Sequence, residues 1–174
     1  SVNTIYLKNN NVVGHNTDIY GFEMSIKKIN YNLEGKKILI LGSGGVVPSI
    51  IFALRKMKVS QIILSNRTRK KAEKLKNLFK DLDIVNWGEV PNFDMIINAT
   101  SLGLNHGDRI DIDFSSIGKD KFFYDVIYNS KETHFDNSLP ILLAFAITIP
   151  NGYLLVLKSK IDPSTTYIFF SLSN

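Results

Sequence analysis

An uninterrupted apolar run, Ile38-Leu39-Ile40-Leu41, opens directly into Gly42-Ser43-Gly44-Gly45, and the apolar positions that follow, Val46, Val47, Ile50, Ile51, Leu54 and Met57, recur at helical spacing. An all-apolar strand suits a parallel sheet buried on both faces, and the glycines fall where such a strand must turn sharply into a helix. Pro48 fits a first helical turn, which needs no amide donor there. A second apolar run, Gln61 to Ser65, follows the helix and completes a strand, turn, helix and strand. The unit constrains the chain to an α/β fold: a Rossmann-like, doubly wound parallel sheet with helices on both faces.

A glycine turn at the start of a helix aims free amides and the positive end of the helix dipole at a phosphate. The spacing of Gly42 and Gly44 also occurs in ordinary turns, and Val47 stands where a dinucleotide fingerprint usually has a small residue. The end of the second strand is more discriminating. An NAD site usually places a carboxylate there for the ribose 2′-hydroxyl, whereas this chain offers Asn66, Arg67, Thr68, Arg69, Lys70 and Lys71. The cluster predicts NADP as cofactor. The residues expected to bind it here are Gly42, Ser43, Gly44, Gly45, Val46, Asn66, Arg67, Thr68, Arg69 and Lys71. A planar guanidinium at Arg67 suits both adenine stacking and a 2′-phosphate. Taken singly, each cation also reads as a solvated helix-face charge, and Thr68 as a helix cap.

The 174 residues fit one domain able to bury a core, and the absence of cysteine excludes disulfides, thiolate nucleophiles and cysteine metal sites. The formal net charge of +5 comes from scattered Lys and Arg apart from the cluster after the second strand, so cofactor phosphate accounts for it more economically than nucleic acid. His15, His106 and His134 are too dispersed for a metal site, and no Gly-x-Ser-x-Gly elbow is present. No secretory leader is legible at the start, and Ser1 suggests a piece of something longer. Leu139 to Leu157 is apolar but interrupted by Pro140, Pro150, Asn151 and Gly152, which argues against a membrane helix.

Along the chain, Ser1 to Leu7 reads as an edge strand and Asn9-Asn10-Asn11 as a turn. A helix is expected from about Asp18, which would serve as its N-cap, with Ile19, Phe22, Ile26 and Ile29 inward. After the second strand come a helix from Arg69 to Lys80 with Ala72, Leu75, Leu78 and Phe79 inward, a short strand at Ile84-Val85, and strands Asp94 to Asn98 and Phe122 to Tyr128.

Taken together, Val2-Asn3-Thr4, Gly14-His15-Asn16-Thr17-Asp18-x-x-Gly21, the glycine turn, Asn66-Arg67-Thr68, Asn98-Ala99-Thr100-Ser101-x-Gly103 and Asp125-x-x-Tyr128 resemble the shikimate dehydrogenase family. The resemblance runs from Val2 to about Thr133 and corresponds to the C-terminal, NADP-binding half of that enzyme with the last part of its substrate half. It implies residues 1–20 as the end of the substrate domain and start of a connecting helix, and residues 21–174 as the NADP-binding domain. It also implies reversible reduction of 3-dehydroshikimate to shikimate by NADPH, on the route to chorismate and aromatic amino acids. The enzyme would be cytoplasmic and act on a small molecule, without nucleic-acid or membrane partners.

By the same resemblance Asp18 is catalytic and contacts substrate together with Asn3 and Tyr128, while Thr100, Val126 and Gly152 approach the nicotinamide end of the cofactor. The family's catalytic lysine belongs to its N-terminal domain, so this chain alone is expected to bind NADP and reduce nothing. Ordinary roles stand beside these: Asn3 as a strand-edge residue, Thr100 in a capped strand end, Tyr128 in the core. From about residue 134 the pattern departs from the family. Ser159 occupies the place of a substrate-binding glutamine, and Asp162-Pro163-Ser164-Thr165-Thr166 breaks what the family continues as helix, which predicts an atypical tail. A glutamyl-tRNA reductase-like nucleotide domain shares the glycine turn and the Asn-Arg-Thr segment but lacks the Gly-x-Asn-Thr-Asp motif. A non-catalytic NADP-binding module or degenerate relic is the other alternative.

Overall fold

The computed structural model describes residues 2–105, 107–115, 117 and 121–127, and the backbone of 143–149 and 152–158. The chain opens with a two-stranded antiparallel hairpin, β1 (Thr4–Lys8) and β2 (Asn11–His15), closed by Asn9 and Asn10 at positive φ. Asn tolerates that backbone better than most residues, which is why the turn sits there. The second strand was not legible in the sequence. On one face of the hairpin Ile5, Leu7 and Val12 are exposed.

Helix α1 (Thr17–Lys28) follows and leads to a sheet in the order β5-β4-β3-β6-β7, all parallel. Its strands are β3 (Lys37–Leu41), β4 (Gln61–Ser65), β5 (Leu82–Val85), β6 (Met95–Asn98) and β7 (Phe122–Asp125). Helices α2 (Val47–Lys56) and α3 (Arg69–Leu78) are the crossovers between β3, β4 and β5. Beyond β7 the backbone of β8 (Leu143–Ile149) adds in parallel and that of β9 (Gly152–Lys158) returns antiparallel. The resemblance implies helix in that region, and these strands stand in its place. Tyr128, Ser159 and most of the expected tail lie outside the described residues.

Alternation along the strands builds two cores. Ile38, Ile40, Ile62, Leu64, Met95 and Ile97 meet Phe22 and Ile26 of α1, Ile50, Ile51 and Leu54 of α2, and Ala72 and Leu75 of α3. The opposite side chains, Leu39, Leu41, Ile63, Ile96 and Phe123, are covered by Phe93, Ile110 and Phe114 with Trp87, Val90 and Leu102 alongside. Each fully buried aliphatic or aromatic side chain contributes about 1.5–3 kcal/mol. Among the described residues the three helices therefore lie on one face, and irregular segments close the other. The connections explain this: α2 and α3 step outward from β3 in one direction, whereas the chain recrosses to β6 and moves on toward β7 with segments 86–94, 99–105 and 107–115 on the far side. The reversal of direction between β3 and β6 is the switch point at which such sheets bind ligands.

Candidate functional site

The glycine turn sits at this switch point. Gly42 donates its N–H to Ser65 O at 2.8 Å and Ala99 N donates to Leu41 O at 2.8 Å, so the turn is stitched to β4 and lies against the end of β6. Gly42 has φ 105°, and a Cβ there would stand 2.4 Å from Ala99 O. Only glycine meets both conditions. A Cβ on Gly45 would meet nothing within 4 Å, so its lack of a side chain answers no demand inside the protein and leaves room above the turn. Ser43 Oγ is buried without a hydrogen-bond partner among the described residues.

The three helix starts differ. The first turn of α1 is capped by Asn16, whose side chain accepts from Asp18 N at 3.0 Å and Ile19 N at 3.3 Å, and Asp18 adds an acidic charge to that turn. This corrects the expectation that Asp18 is the cap: extended backbone at Asn16 starts the helix two residues earlier and places Asp18 inside it. By contrast α2 and α3 begin with no side-chain cap and no acidic residue in the first turn. Thr68 holds the N-cap position of α3 without a capping bond. Arg69, Lys70 and Lys71 follow it, putting cations at the positive end of the dipole. An anion would satisfy both helix starts, and no side chain among the described residues caps either.

The basic cluster divides. Arg69 donates to Glu73 Oε1 at 3.2 Å and to Asn86 Oδ1 at 2.7 Å, so it is held along its own helix and to the loop after β5. Asn66 donates to Thr68 O at 2.8 Å and shapes the turn. Arg67 is exposed and makes no hydrogen bond or ion pair with a described residue. Its charge reaches Asp108, whose carboxyl is held below the usual range chiefly by the N–H groups of Asn105 and Gly103, with Arg67 a smaller contribution. Lys71 is exposed.

Asn3 and Asp18 come together at the start of α1. Asn3 Nδ2 donates to Asp18 Oδ1 at 2.7 Å, and Asn3 Oδ1 accepts from Thr17 N at 2.9 Å. The second carboxylate oxygen of Asp18 bonds to no described residue and is available to a hydroxyl or ammonium. Asn16 Nδ2 donates to Ser49 Oγ at 2.9 Å, which joins this cluster to the first turns of α2.

At the end of β6, Asn98 is fully buried and spent on structure. Its amide donates to Leu102 O at 3.2 Å and Asp125 Oδ1 at 3.1 Å, and its oxygen accepts from Thr100 N and the Thr100 hydroxyl at 3.1 and 2.7 Å. Thr100 thereby faces inward on its own turn and is not presented as a free contact. Val126 is half-buried just past β7 with its N–H on Asn98 O at 3.0 Å. Gly152 opens β9 opposite Ile149, on the side where the parallel strands end. The motif Asp125-x-x-Tyr128 assigns Asp125 no role, yet a carboxylate directly after Phe122-Phe123-Tyr124 is the sequence signal for a buried hydrogen-bonded pair.

Comparison with known proteins agrees with this fold. Residues 24–106 match the family described as Shikimate / quinate 5-dehydrogenase. The chain is 57% identical over 135 residues to a shikimate dehydrogenase (NADP(+)) of Pelagibacter ubique, which covers 78% of this chain and 51% of that protein. The crystal structure of shikimate dehydrogenase from Aquifex aeolicus superposes with a TM-score of 0.71 at 37% identity, covering 79% of this chain and 51% of that one. The enzyme from Thermus thermophilus, crystallised in complex with NADP(H) and shikimate, gives 0.70 at 27% identity, covering 79% and 52%. The chain thus spans about half the length of the relatives it matches.

Proposed function

From the premise that this chain belongs to the shikimate dehydrogenase family, we propose that it is the nucleotide-binding part of an NADP-dependent oxidoreductase that interconverts 3-dehydroshikimate and shikimate. The observation that carries the reading is the contrast among helix starts. The one beside Asp18 is capped from within the protein, while the two at the ends of β3 and β4 are left open and, at α3, surrounded by cations.

The fit to NADP rests on these features. Gly44, Gly45 and the start of α2 would hold the pyrophosphate, with Ser43 Oγ a buried hydroxyl that has no partner among the described residues. Arg67, Thr68 and the first amides of α3 would hold the 2′-phosphate, with Lys71 adding charge. When bound, NADPH supplies the hydride. The protein's task is to hold the carbonyl against it and manage one proton. Asn3 orients Asp18 through one carboxylate oxygen, and the other is positioned to hold the reacting hydroxyl. Asp18 holds the hydroxyl as an acceptor, and the proton falls to the lysine that the family resemblance places in its N-terminal domain, so Asp18 positions and does not complete the reaction by itself. Binding without turnover is therefore expected of the 174-residue chain.

The test is a calorimetric titration with NADP and with NAD, on this chain and on Arg67→Ala. Loss of one guanidinium–phosphate contact weakens NADP by ~1.5–3 kcal/mol and leaves NAD unchanged. Equal effects on the two cofactors would refute the 2′-phosphate assignment.

A further inference from the structure

We propose that the Asn16–Ser49 hydrogen bond couples the two ends of this site, so that filling the phosphate turn is felt at Asp18; Asn16 is then a positioning residue. The proposal rests on the nucleotide reading above. One carboxamide works in two directions. Its oxygen holds Asp18 N and Ile19 N, and its nitrogen reaches Ser49 Oγ at 2.9 Å, 33 residues away in sequence. Ser49 is 2% exposed, and its N–H donates to Val46 O at 3.0 Å, directly after the glycine turn.

The helix does not need the second bond. Serine or aspartate at position 16 would cap α1 as well, so the amide donor toward Ser49 serves something beyond helix initiation. The rest of α1 is fastened to α2 as well. Lys56 Nζ lies 2.5 Å from Glu23 Oε1, and Phe22 and Ile26 share a core with Ile50, Ile51 and Leu54. Helix α1 therefore moves with α2, and Asn16 is the link nearest both the carboxylate and the turn. Ligand groups settling on the start of α2 shift Ser49, and the shift passes through one half-buried bond to the backbone amide of Asp18.

Amide NMR of the full chain during an NADP titration reads this directly. In the unmodified chain the Gly44 and Gly45 signals shift, and those of Asp18, Ile19 and the Asn16 side chain shift with the same midpoint. In Asn16→Ser, which retains a cap but is too short to reach Ser49, the glycine shifts persist while the Asp18 and Ile19 shifts fall to less than about half. Ser49→Ala cuts the bond from the other side and gives the same loss. Persistence of the Asp18 shift in both variants, or its absence in the unmodified chain while the glycines move, overturns the coupling and leaves the nucleotide reading intact. Silent glycines overturn the nucleotide reading itself.

Discussion

The Asn98 amide donates to Asp125 Oδ1 at 3.1 Å across the ends of two neighbouring strands, with neither residue exposed. The same carboxylate oxygen accepts from Ile127 N at 2.8 Å, so the pair fixes the chain as it leaves β6 and β7. A buried acceptor of this kind is costly to strand. Asn98→Ala is expected to destabilise the fold by about 3 kcal/mol, through the lost bonds and the carboxylate left short of a donor. Urea unfolding measures this, and a loss under about 1 kcal/mol would mean that water replaces the amide.

The two glycines that bracket the turn separate folding from binding. Gly42→Ala places a methyl 2.4 Å from Ala99 O at φ 105°, and is expected to cost at least about 2 kcal/mol of stability. Gly45→Ala enters open space and is expected to leave the melting temperature nearly unchanged while weakening NADP binding. Thermal denaturation with and without NADP compares the two, and unaltered NADP affinity in Gly45→Ala would argue against a pyrophosphate above that residue.

Arg69 and Arg67 are expected to respond differently although they lie in one cluster. Arg69→Ala removes a contact to Glu73 and another to Asn86, so its effect appears in stability, by about 0.5–1 kcal/mol, more than in preference for NADP over NAD. A shift in that preference as large as that of Arg67→Ala would show that Arg69 leaves its partners to meet the ligand.

Burial pushes the Tyr124 hydroxyl well above its ordinary value of 10.0, against the opposing effect of its hydrogen bond with Ser25, 2.9 Å away. The folded state keeps this proton more tightly than the unfolded state. The associated stability is complete below the unfolded value and is lost as pH rises beyond about 10. Tyr124→Phe is expected to flatten the alkaline decline of the melting temperature. Parallel declines in the two proteins would locate the alkaline transition elsewhere.

Turnover gives the simplest check on Asp18. The 174-residue chain, saturated with NADPH and given 3-dehydroshikimate, is expected to show no loss of absorbance at the cofactor's reduced band. Sustained turnover would show that these residues include a proton donor not recognised here.

What could be read without coordinates followed periodicity. The strands from Lys37 to Leu41 and Gln61 to Ser65 lie as the apolar spacing requires, and the third helix turns Ala72 and Leu75 inward, whereas Leu78, expected inward as well, is exposed at the helix's last residue. The hairpin strand Asn11–His15 was missed because Val12 and Val13 are apolar on both faces and Gly14 is a poor strand former, so no alternation marks it. The helix cap moved to Asn16 because two cap-forming residues stand two apart, and backbone geometry, which the sequence does not display, selects the first. Arg69 and Arg67 look alike in sequence. Only the fold brings Asn86 to one of them and leaves the other open.

Among the described residues the sheet is roofed by helices on one side and by irregular chain on the other, and such a sheet is expected to breathe unevenly. Backbone amides in segments 86–93, 102–105 and 107–115 have no regular ladder to hold them, so deuterium is expected to enter there first and solvent to reach Leu39, Leu41 and Phe123 from beneath before α2 or α3 comes loose. The glycine turn hangs from the helical side, so its glycines are expected to keep their shape through openings that transiently wet the other half of the core.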